Sequence, residues 1–235
     1  MKHTKKQAKY IHEQQPVDTE KARPEVHIKP LNEKQRDYLE SLFSCSVVIG
    51  KGSAGTGKTY LAASVAAKAL ADRKIGKIIL SRANVPTGKS LGAFPGTVEE
   101  KMGPWLMPLT DVLRLHLGPL YDYCIAKGII EFQPVETIRG RDYRNAIVLM
   151  DEGQQLTVEE LKALVTRIGK DSQLFLLGDS SQRDVHTDGL GWLVNLADKY
   201  RLPVAIHEFN SDDIVRSDVC KQFVKAFEQE DKDNG

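Results

Sequence analysis

Between two apolar segments the chain carries the glycine-rich stretch Gly52-Ser53-Ala54-Gly55-Thr56-Gly57-Lys58-Thr59. The apolar run before it, residues 46–50, predicts a strand, and the alanine- and leucine-rich segment from Tyr60 to Leu70 predicts a helix. Strand, loop and helix are the context in which the pattern G-x-x-x-x-G-K-[ST] forms a phosphate-binding loop. The alternative, an ordinary glycine-rich turn before a helix, is disfavoured because both flanking elements are present.

The residue types of this loop suit a nucleoside triphosphate bound with Mg²⁺. Glycines let successive backbone N–H groups point inward at phosphate oxygens, and the following helix N-terminus adds partial positive charge. Lys58 is placed to reach the β- and γ-phosphates, and the Thr59 hydroxyl is placed to ligate Mg²⁺. We therefore predict a nucleotide-binding set of Gly52, Ser53, Ala54, Gly55, Thr56, Gly57, Lys58, Thr59 and Tyr60.

Length and composition restrict the class of protein. A chain of 235 residues fits one large domain, and a formal net charge of +1 gives no global basic field that would by itself indicate nucleic acid. The three cysteines are far apart and form no C-x-x-C pair, which argues against a zinc site or a disulfide framework. No apolar run approaches the ~18 residues of a membrane span, and the N-terminus lacks a secretory signal, so a cytoplasmic protein without membrane contact is expected.

The chain divides into a tail, a domain and a short end. Residues 1–29 have few large apolar side chains and are predicted to be a flexible tail, whose lysines are read as solvated rather than bound to nucleic acid. Residues 30–228 form the single domain, and residues 229–235 are predicted to be a disordered acidic end. Asn32 is a suitable N-cap for the first helix, in which Gln35 is either an adenine-reading amide or an exposed helix glutamine.

After the phosphate loop, the order strand, helix, strand implies a parallel sheet with right-handed crossovers. The second strand, residues 77–80, is followed by Arg82 at the edge where open α/β sheets bind ligands. Residues 86–108 are predicted to be a long loop, and a leucine stripe predicts a buried helix over residues 109–126. Phe94 and Trp105 are candidates for stacking on bases, although core packing is the favoured interpretation for Trp105.

A second decisive stretch is the wholly apolar run 146–150, which predicts a buried central strand ending in Asp151 and Glu152. This is the form of a Walker B element. Asp151 is predicted to hold Mg²⁺, and Glu152 to activate the attacking water as general base. Surface carboxylates are common at strand ends, but the phosphate loop upstream in the expected order favours the catalytic interpretation.

A third apolar strand, residues 173–177, leads into Gly178-Asp179-Ser180-Ser181-Gln182. An amide at this edge can hydrogen-bond both the γ-phosphate and the lytic water, so Gln182 is predicted to sense the γ-phosphate, with a polar turn as the alternative. Between the two strands, Thr157 and Glu160 have the spacing of a helix capping box.

Together these motifs resemble those of the PhoH family of ATPases, whose core is similar to the first RecA-like domain of superfamily 1 helicases. The resemblance runs from about Leu31 to Phe227. It rests further on the segments Leu91-Gly92, Pro95-Gly96, Glu99-Glu100-Lys101, Ile138-Arg139-Gly140-Arg141, Leu164-Val165-Thr166-Arg167-Ile168-Gly169 and Asp213-Ile214-Val215-Arg216. It implies an α/β P-loop NTPase fold, a RecA-like three-layer sandwich with a mainly parallel central sheet, and it favours the adenine role of Gln35. The chain departs from the family pattern at Ala83, Gly153, Gln155 and Ser217. We expect the contacts of Gln155 and Ser217, to polynucleotide or to a neighbouring subunit, to differ from those of the family, whereas the residues for ATP chemistry are kept.

Phosphoryl transfer often needs an arginine finger, and a superfamily 1 helicase supplies it from a second RecA-like unit. This chain has room for one such unit, so we expect a neighbouring subunit to complete the site in a homo-oligomeric ring, for example a hexamer. The candidates for the finger are Arg139, Arg141, Arg167 and Arg216, with a surface arginine or a local ion pair as the alternative for each.

The sequence is compatible with three functions. The first is an ATPase that uses ATP and Mg²⁺ to act on RNA or single-stranded DNA, with Arg82 and Phe94 as candidate nucleic-acid contacts. The second is an ATP-dependent switch that acts on a protein partner, and the third is a kinase-like enzyme with a small-molecule substrate. Gln182 argues against the third function because a γ-phosphate sensor suits attack by water.

Overall fold

The computed structural model describes residues 24–83, 97–179 and 188–234, with side chains up to residue 230. These residues form six strands and seven helices, and short 3-10 turns connect some of them. The strands are β1 (Val47–Gly52), β2 (Lys77–Arg82), β3 (Ile130–Phe132), β4 (Ala146–Asp151), β5 (Gln173–Gly178) and β6 (Val204–Phe209). The helices are α1 (Glu33–Ser44), α2 (Lys58–Ala71), α3 (Val98–Leu117), α4 (Pro119–Ala126), α5 (Val158–Val165), α6 (Gly189–Tyr200) and α7 (Asp218–Asn234).

The strands form one sheet in the order β3-β2-β4-β5-β1-β6. All five neighbouring pairs are parallel. The central strands are apolar because helices cover them on both faces, as in β4, where every residue from Ala146 to Asp151 is buried. The carboxyl ends of β1, β4 and β5 therefore share one edge of the sheet, where the phosphate loop follows β1.

Helices lie on both faces of the sheet. Helices α1 to α4 pack on one face around a core that includes Tyr38, Leu61 and Leu113. Helices α5 and α6 pack on the other face, where Leu161 and Leu193 belong to a second core together with Val148 and Leu176 of the sheet. This three-layer arrangement confirms the predicted RecA-like α/β fold.

Helix α3 begins much earlier than the sequence predicts. The segment up to Pro108 was expected to be a loop, but the helix starts at Val98 and contains Pro104 and Pro108. A capping box explains the start, since Thr97 accepts from the Glu100 backbone and the Glu100 side chain accepts from the Thr97 backbone. The predicted leucine stripe is confirmed for Leu109, Leu113 and Leu117, which are fully buried. The single helix predicted over residues 109–126 is wrong, because α3 ends at Leu117 and α4 begins at Pro119, after Gly118.

The structure also moves the boundaries of the domain. Val26 is only 4% exposed and belongs to the main core, so the part of the predicted tail from residue 24 onward is not free. At the other end, α7 continues to Asn234, where disorder was predicted from residue 229. In the three described ranges, no helix is both long enough and apolar enough to span a membrane.

Candidate nucleotide-binding site

The phosphate loop has the backbone shape that its glycines allow. Gly52 and Gly57 have φ values of +110° and +87°, which residues with side chains rarely adopt. A Cβ at Gly52 would lie 1.8 Å from the carbonyl oxygen of Phe209, and a Cβ at Gly57 would lie 2.7 Å from the Gln35 amide nitrogen. Gly57 is the N-cap of α2, so the loop opens onto the positive end of that helix.

Lys58 follows the loop directly, and its ammonium group hydrogen-bonds to backbone oxygens of the loop. Its Nζ donates to the carbonyls of Gly52 and Ser53 at 2.6 and 2.7 Å. Burial lowers the pKa of Lys58 to about 8, although the nearby carboxylates of Asp179, Asp151 and Glu152 oppose the shift. The ammonium group is thus desolvated beforehand and can exchange carbonyl partners for phosphate oxygens.

The loop forms one wall of a cleft of about 610 Å³. Residues 54–60 line this wall, and the carboxyl ends of β4 and β5 supply Asp151, Glu152 and Asp179. Helix α3 forms a further wall with Pro108, Asp111 and Val112. The side of the cleft nearest to α7 is lined by Val215 and Arg216. Of the predicted nucleotide-binding set, residues 54–60 therefore share one cleft with the two carboxylates Asp151 and Glu152, whereas Gly52 and Ser53 do not line it.

The two carboxylates after β4 differ in their surroundings. Asp151 ends the strand and is 9% exposed, and burial raises its pKa even though the Arg82 guanidinium, 3.6 Å away, acts in the opposite direction. Glu152 has left-handed backbone dihedrals, φ 55° and ψ 39°, which are uncommon for a residue with a side chain. This turn directs the Glu152 carboxylate into the cleft instead of along the sheet.

Two side chains fix the Glu152 carboxylate. Arg82 Nη2 donates to one oxygen at 2.9 Å, and Gln154 Nε2 donates to the other at 2.6 Å. Gln154 is 1% exposed, and its Oε1 accepts from the backbone N–H of Asp179 at 2.9 Å. Gln154 therefore joins the ends of β4 and β5. The sequence prediction gave Gln154 no role, because no sequence pattern marks a glutamine that links two strand ends.

The residues present fit a Mg²⁺–triphosphate. Magnesium in such sites takes one or two protein oxygens, with phosphates and water as its remaining ligands. Thr59 and Asp151 line the same cleft and offer a hydroxyl and a carboxylate. The ranges that the structure covers contain no cluster of three or more His, Cys, Asp or Glu side chains suited to an all-protein metal site.

Gln35 reaches the loop but uses its amide on the protein itself. The side chain is 2% exposed, its Nε2 donates to the Thr56 carbonyl at 2.9 Å, and its Oε1 accepts from Leu31 N–H at 2.8 Å. It is therefore not the exposed helix glutamine that was one alternative. Its adenine-reading role stays a prediction, and in this arrangement the amide supports the phosphate loop.

Of the two candidate nucleic-acid contacts, Arg82 lies in the part of the chain that the structure describes and Phe94 does not. Arg82 points into the cleft, where its guanidinium pairs with the carboxylates and lies 5.9 Å from the centre of the Trp105 ring. Trp105 itself is 50% exposed, so the favoured prediction of core packing was wrong. The Trp105 ring lies at the surface of α3, where it packs beside the Arg82 guanidinium instead of in the core. Phe94 and Gln182 lie outside the described residues.

The four finger candidates occupy different places. Arg216 lines the cleft of its own chain, and its Cδ lies 3.0 Å from where a Cβ at Gly55 would be, so no neighbour is needed to bring it there. Arg141 and Arg167 precede β4 and β5 and therefore lie toward the opposite end of the sheet. Arg139 is exposed and does not line the cleft. Of the four, only Arg216 is near the nucleotide cleft of its own chain.

Comparison with known proteins agrees with the fold and the motifs. The family model described as "PhoH-like protein" matches residues 27–228. A PhoH-like protein of Mycobacterium tuberculosis is 36% identical over 85% of this chain and 58% of its own length. Protein PhoH of Escherichia coli K12 is 33% identical over 83% of this chain and 57% of its own length. The PhoH-like protein of Bacillus subtilis is 36% identical over 83% and 62%, respectively.

Two solved structures share the fold at low sequence identity. The large terminase of bacteriophage HK97 superposes with a TM-score of 0.51 at 16% identity, covering 78% of this chain and 40% of the terminase. The large terminase of a thermophilic bacteriophage has a TM-score of 0.50 at 14% identity, covering 86% and 50%. The chain spans about three fifths of the length of the curated relatives above. On the family match and these identities, the chain belongs to the PhoH-like protein family.

Proposed function

We propose that this chain is a Mg²⁺-dependent ATPase that couples hydrolysis to binding or remodelling of RNA or single-stranded DNA. The observation that carries the ATPase assignment is the convergence of Lys58, Asp151 and Glu152 in the cleft beside the phosphate loop. A phosphate loop alone supports binding, whereas a carboxylate pair at the neighbouring strand end supports hydrolysis as well.

The chain's own residues divide the chemistry between them. The loop N–H groups and Lys58 bind the β- and γ-phosphates and neutralise charge that develops there. Thr59 and Asp151 would hold Mg²⁺, which supplies further charge neutralisation at the phosphate oxygens. Glu152 accepts the proton of the attacking water, and the hydrogen bonds from Arg82 and Gln154 hold its carboxylate in place.

Lys58→Ala should weaken ATP binding at least about tenfold, since it removes the only ammonium group aimed at the phosphates among the residues that line the cleft. Titration calorimetry with a non-hydrolysable ATP analogue measures this. Lys68→Ala is the matched control, because Lys68 lies on the same helix but pairs with Asp72. Equal affinities for Lys58→Ala and wild type would contradict the site assignment.

Coupling to nucleic acid rests on the similarity to helicase-like ATPases and on the exposed Trp105 ring beside the cleft. The second candidate function is an ATP-dependent switch that acts on a protein partner. The balanced net charge and the exposed apolar side chains of α7 favour this alternative.

ATP hydrolysis measured with and without single-stranded RNA distinguishes these two functions. Stimulation of at least several-fold, lost as salt is raised, is the result we expect for RNA coupling. An ATPase that is unaffected by RNA and does not bind it at low salt would instead be the protein-directed switch.

A further inference from the structure

The turn after β4 places the amide of Gln154 between two residues of the cleft. Its Nε2 donates to Glu152 Oε2 at 2.6 Å, and its Oε1 accepts from the Asp179 backbone N–H at 2.9 Å. A backbone N–H can only donate, so Asp179 determines which end of the amide is the oxygen and leaves Nε2 facing the carboxylate. The hydrogen bond to Glu152 therefore has one direction, from Gln154 to the base.

This amide extends the connection between β4 and β5 beyond their backbone pairing. The paired residues run from Ile147 with Gln173 to Met150 with Leu176, and Glu152 lies past the last pair. Gln154 joins the two segments again, at Glu152 and Asp179. Because its side chain is buried, water does not compete for these hydrogen bonds.

Gly178, the last residue of β5, leaves the space that the amide occupies. A Cβ at Gly178 would lie 2.9 Å from Gln154 Oε1 and 3.1 Å from the Gln154 backbone nitrogen. A side chain at this position would therefore push the amide away from Asp179 and Glu152. The end of β5 and the turn after β4 are packed closely enough to move together.

Asp179 connects the amide to the phosphate-binding lysine. It is 8% exposed and lines the same cleft as Lys58. Burial lowers the pKa of Lys58, and of the carboxylates that oppose this shift Asp179 has the largest effect. One end of Gln154 is thus bonded to the residue beside Lys58, and the other end is bonded to the base.

Arg82 also holds the Glu152 carboxylate, but it divides its guanidinium among several groups. It donates to Glu152 Oε1 and to the Trp105 carbonyl, and it lies 3.6 Å from Asp151. Both described hydrogen bonds of the Gln154 side chain, in contrast, join the base to the end of β5. The position of the base relative to β5 is therefore set by Gln154.

We propose that Gln154 is a positioning residue that couples Glu152 to the end of β5, so that the carboxylate is aligned for the attacking water only while Asp179 keeps its place in the cleft. This inference rests on the proposed function, in which Glu152 is the base. Gln154 does not line the cleft, so it acts through Glu152 and not on the nucleotide. Its loss should lower turnover and leave nucleotide affinity unchanged.

Gln154→Met keeps the approximate volume of the side chain and removes both hydrogen bonds. We expect kcat to fall about 10–100-fold while the affinity for a non-hydrolysable ATP analogue stays within about twofold, since a misplacement of about 1 Å can cost 10²-fold in rate. Steady-state kinetics and titration calorimetry measure the two quantities.

The matched control is Gln173→Met. Gln173 is also a bridging amide, at the other end of β5, where it donates to the carbonyls of Leu42 and Cys45. This variant should lose stability in urea denaturation and keep its kcat. A wild-type kcat in Gln154→Met, or equal losses of kcat in both variants, would overturn the proposal.

Gln154→Glu provides a readout that a merely structural role would not move. The introduced carboxyl still accepts from the Asp179 N–H, but it can donate to Glu152 only while it is protonated. Two adjacent carboxyls share one proton, and this raises the pKa at which the pair loses it. The link is therefore present at low pH and lost as the pH rises.

The ratio of the kcat of Gln154→Glu to that of wild type, at saturating ATP, should accordingly fall at least about fivefold from pH 6 to pH 8. The other charged groups around the pair, namely Arg82, Asp151, Lys58 and Asp179, are the same in both proteins and titrate in both. A ratio that is constant over this range would overturn the proposal.

Glu152→Gln, measured in parallel, separates this inference from the proposed function. If Glu152→Gln hydrolyses ATP at the wild-type rate, the base assignment fails and the positioning role fails with it. If Glu152→Gln is inactive but Gln154→Met keeps the wild-type kcat, the ATPase assignment stands and the positioning role alone is overturned.

Discussion

Burial in the cleft gives some ionisable side chains pKa values that differ from those they have in water. Lys58 is the clearest, because its ammonium group is buried against loop carbonyls and its pKa falls to about 8. A bound triphosphate surrounds the same group with negative charge and should raise that pKa again. Nucleotide binding is therefore linked to proton uptake by Lys58.

This linkage predicts a pH dependence of affinity. Below pH 8, Lys58 is charged with and without nucleotide, so the affinity is constant. Above pH 8, the free protein must first protonate Lys58, and the affinity should fall about tenfold per pH unit. Binding of the ATP analogue from pH 7 to 9.5 measures the slope, and Lys58→Met should bind weakly with no such slope. A wild-type affinity that stays constant to pH 9.5 would show that burial does not shift this lysine.

Gln35 is predicted to stabilise the phosphate loop and its neighbouring turn. Gln35→Ala leaves the Thr56 carbonyl and the Leu31 N–H without their amide partner, which should lower the free energy of unfolding by about 1–3 kcal/mol. Urea denaturation measures this loss, with the exposed Gln222→Ala on α7 as the control. Unchanged stability would indicate that the amide is free to serve the nucleotide, and a changed preference for ATP over GTP would assign it to adenine.

At the level of elements, caps determine where helices begin. The predicted capping box of α5 is confirmed, since Thr157 Oγ1 accepts from the Glu160 backbone and the Glu160 carboxylate accepts from Thr157. Thr157→Ala should cost about 1 kcal/mol of stability, measured by thermal or urea unfolding. Thr166→Ala, at the far end of the same helix, should cost less because its exposed hydroxyl caps no backbone N–H and bonds only helix carbonyls and the Arg167 guanidinium. Equal losses in both variants would contradict a specific role for the cap.

Helix α3 shows why some elements could not be predicted from the sequence. Its Pro104 and Pro108 are breakers in the helix interior, so the sequence predicted a loop up to Pro108 and a helix that begins only at Leu109. The capping box at Thr97 and the burial of Met102 and Leu106 outweigh that local cost. The missed half of α3 contains Trp105 and also Pro108, which is one of the three α3 residues that line the cleft.

On the scale of the whole molecule, the sheet was more predictable than the site. Apolar runs mark β1, β4 and β5, and parallel pairing brings their carboxyl ends together, which is enough to place Lys58, Asp151 and Glu152 in one cleft. The position of Arg216 was not predictable, because a turn after β6 carries it back to the phosphate loop, where Val215 N–H donates to the Gly55 carbonyl. Such contacts depend on the folded path of the chain and leave no local pattern in the sequence.

The other roles assigned to cleft residues all depend on hydrolysis of ATP in this cleft with Glu152 as the base. The most direct measurement is the steady-state release of phosphate from ATP and Mg²⁺ by wild type, Glu152→Gln and Glu159→Gln, the last being an exposed glutamate on α5. We expect Glu159→Gln to match wild type, and Glu152→Gln to bind the ATP analogue normally while its turnover falls about 10²–10⁴-fold. Turnover by Glu152→Gln at the wild-type rate would contradict the account.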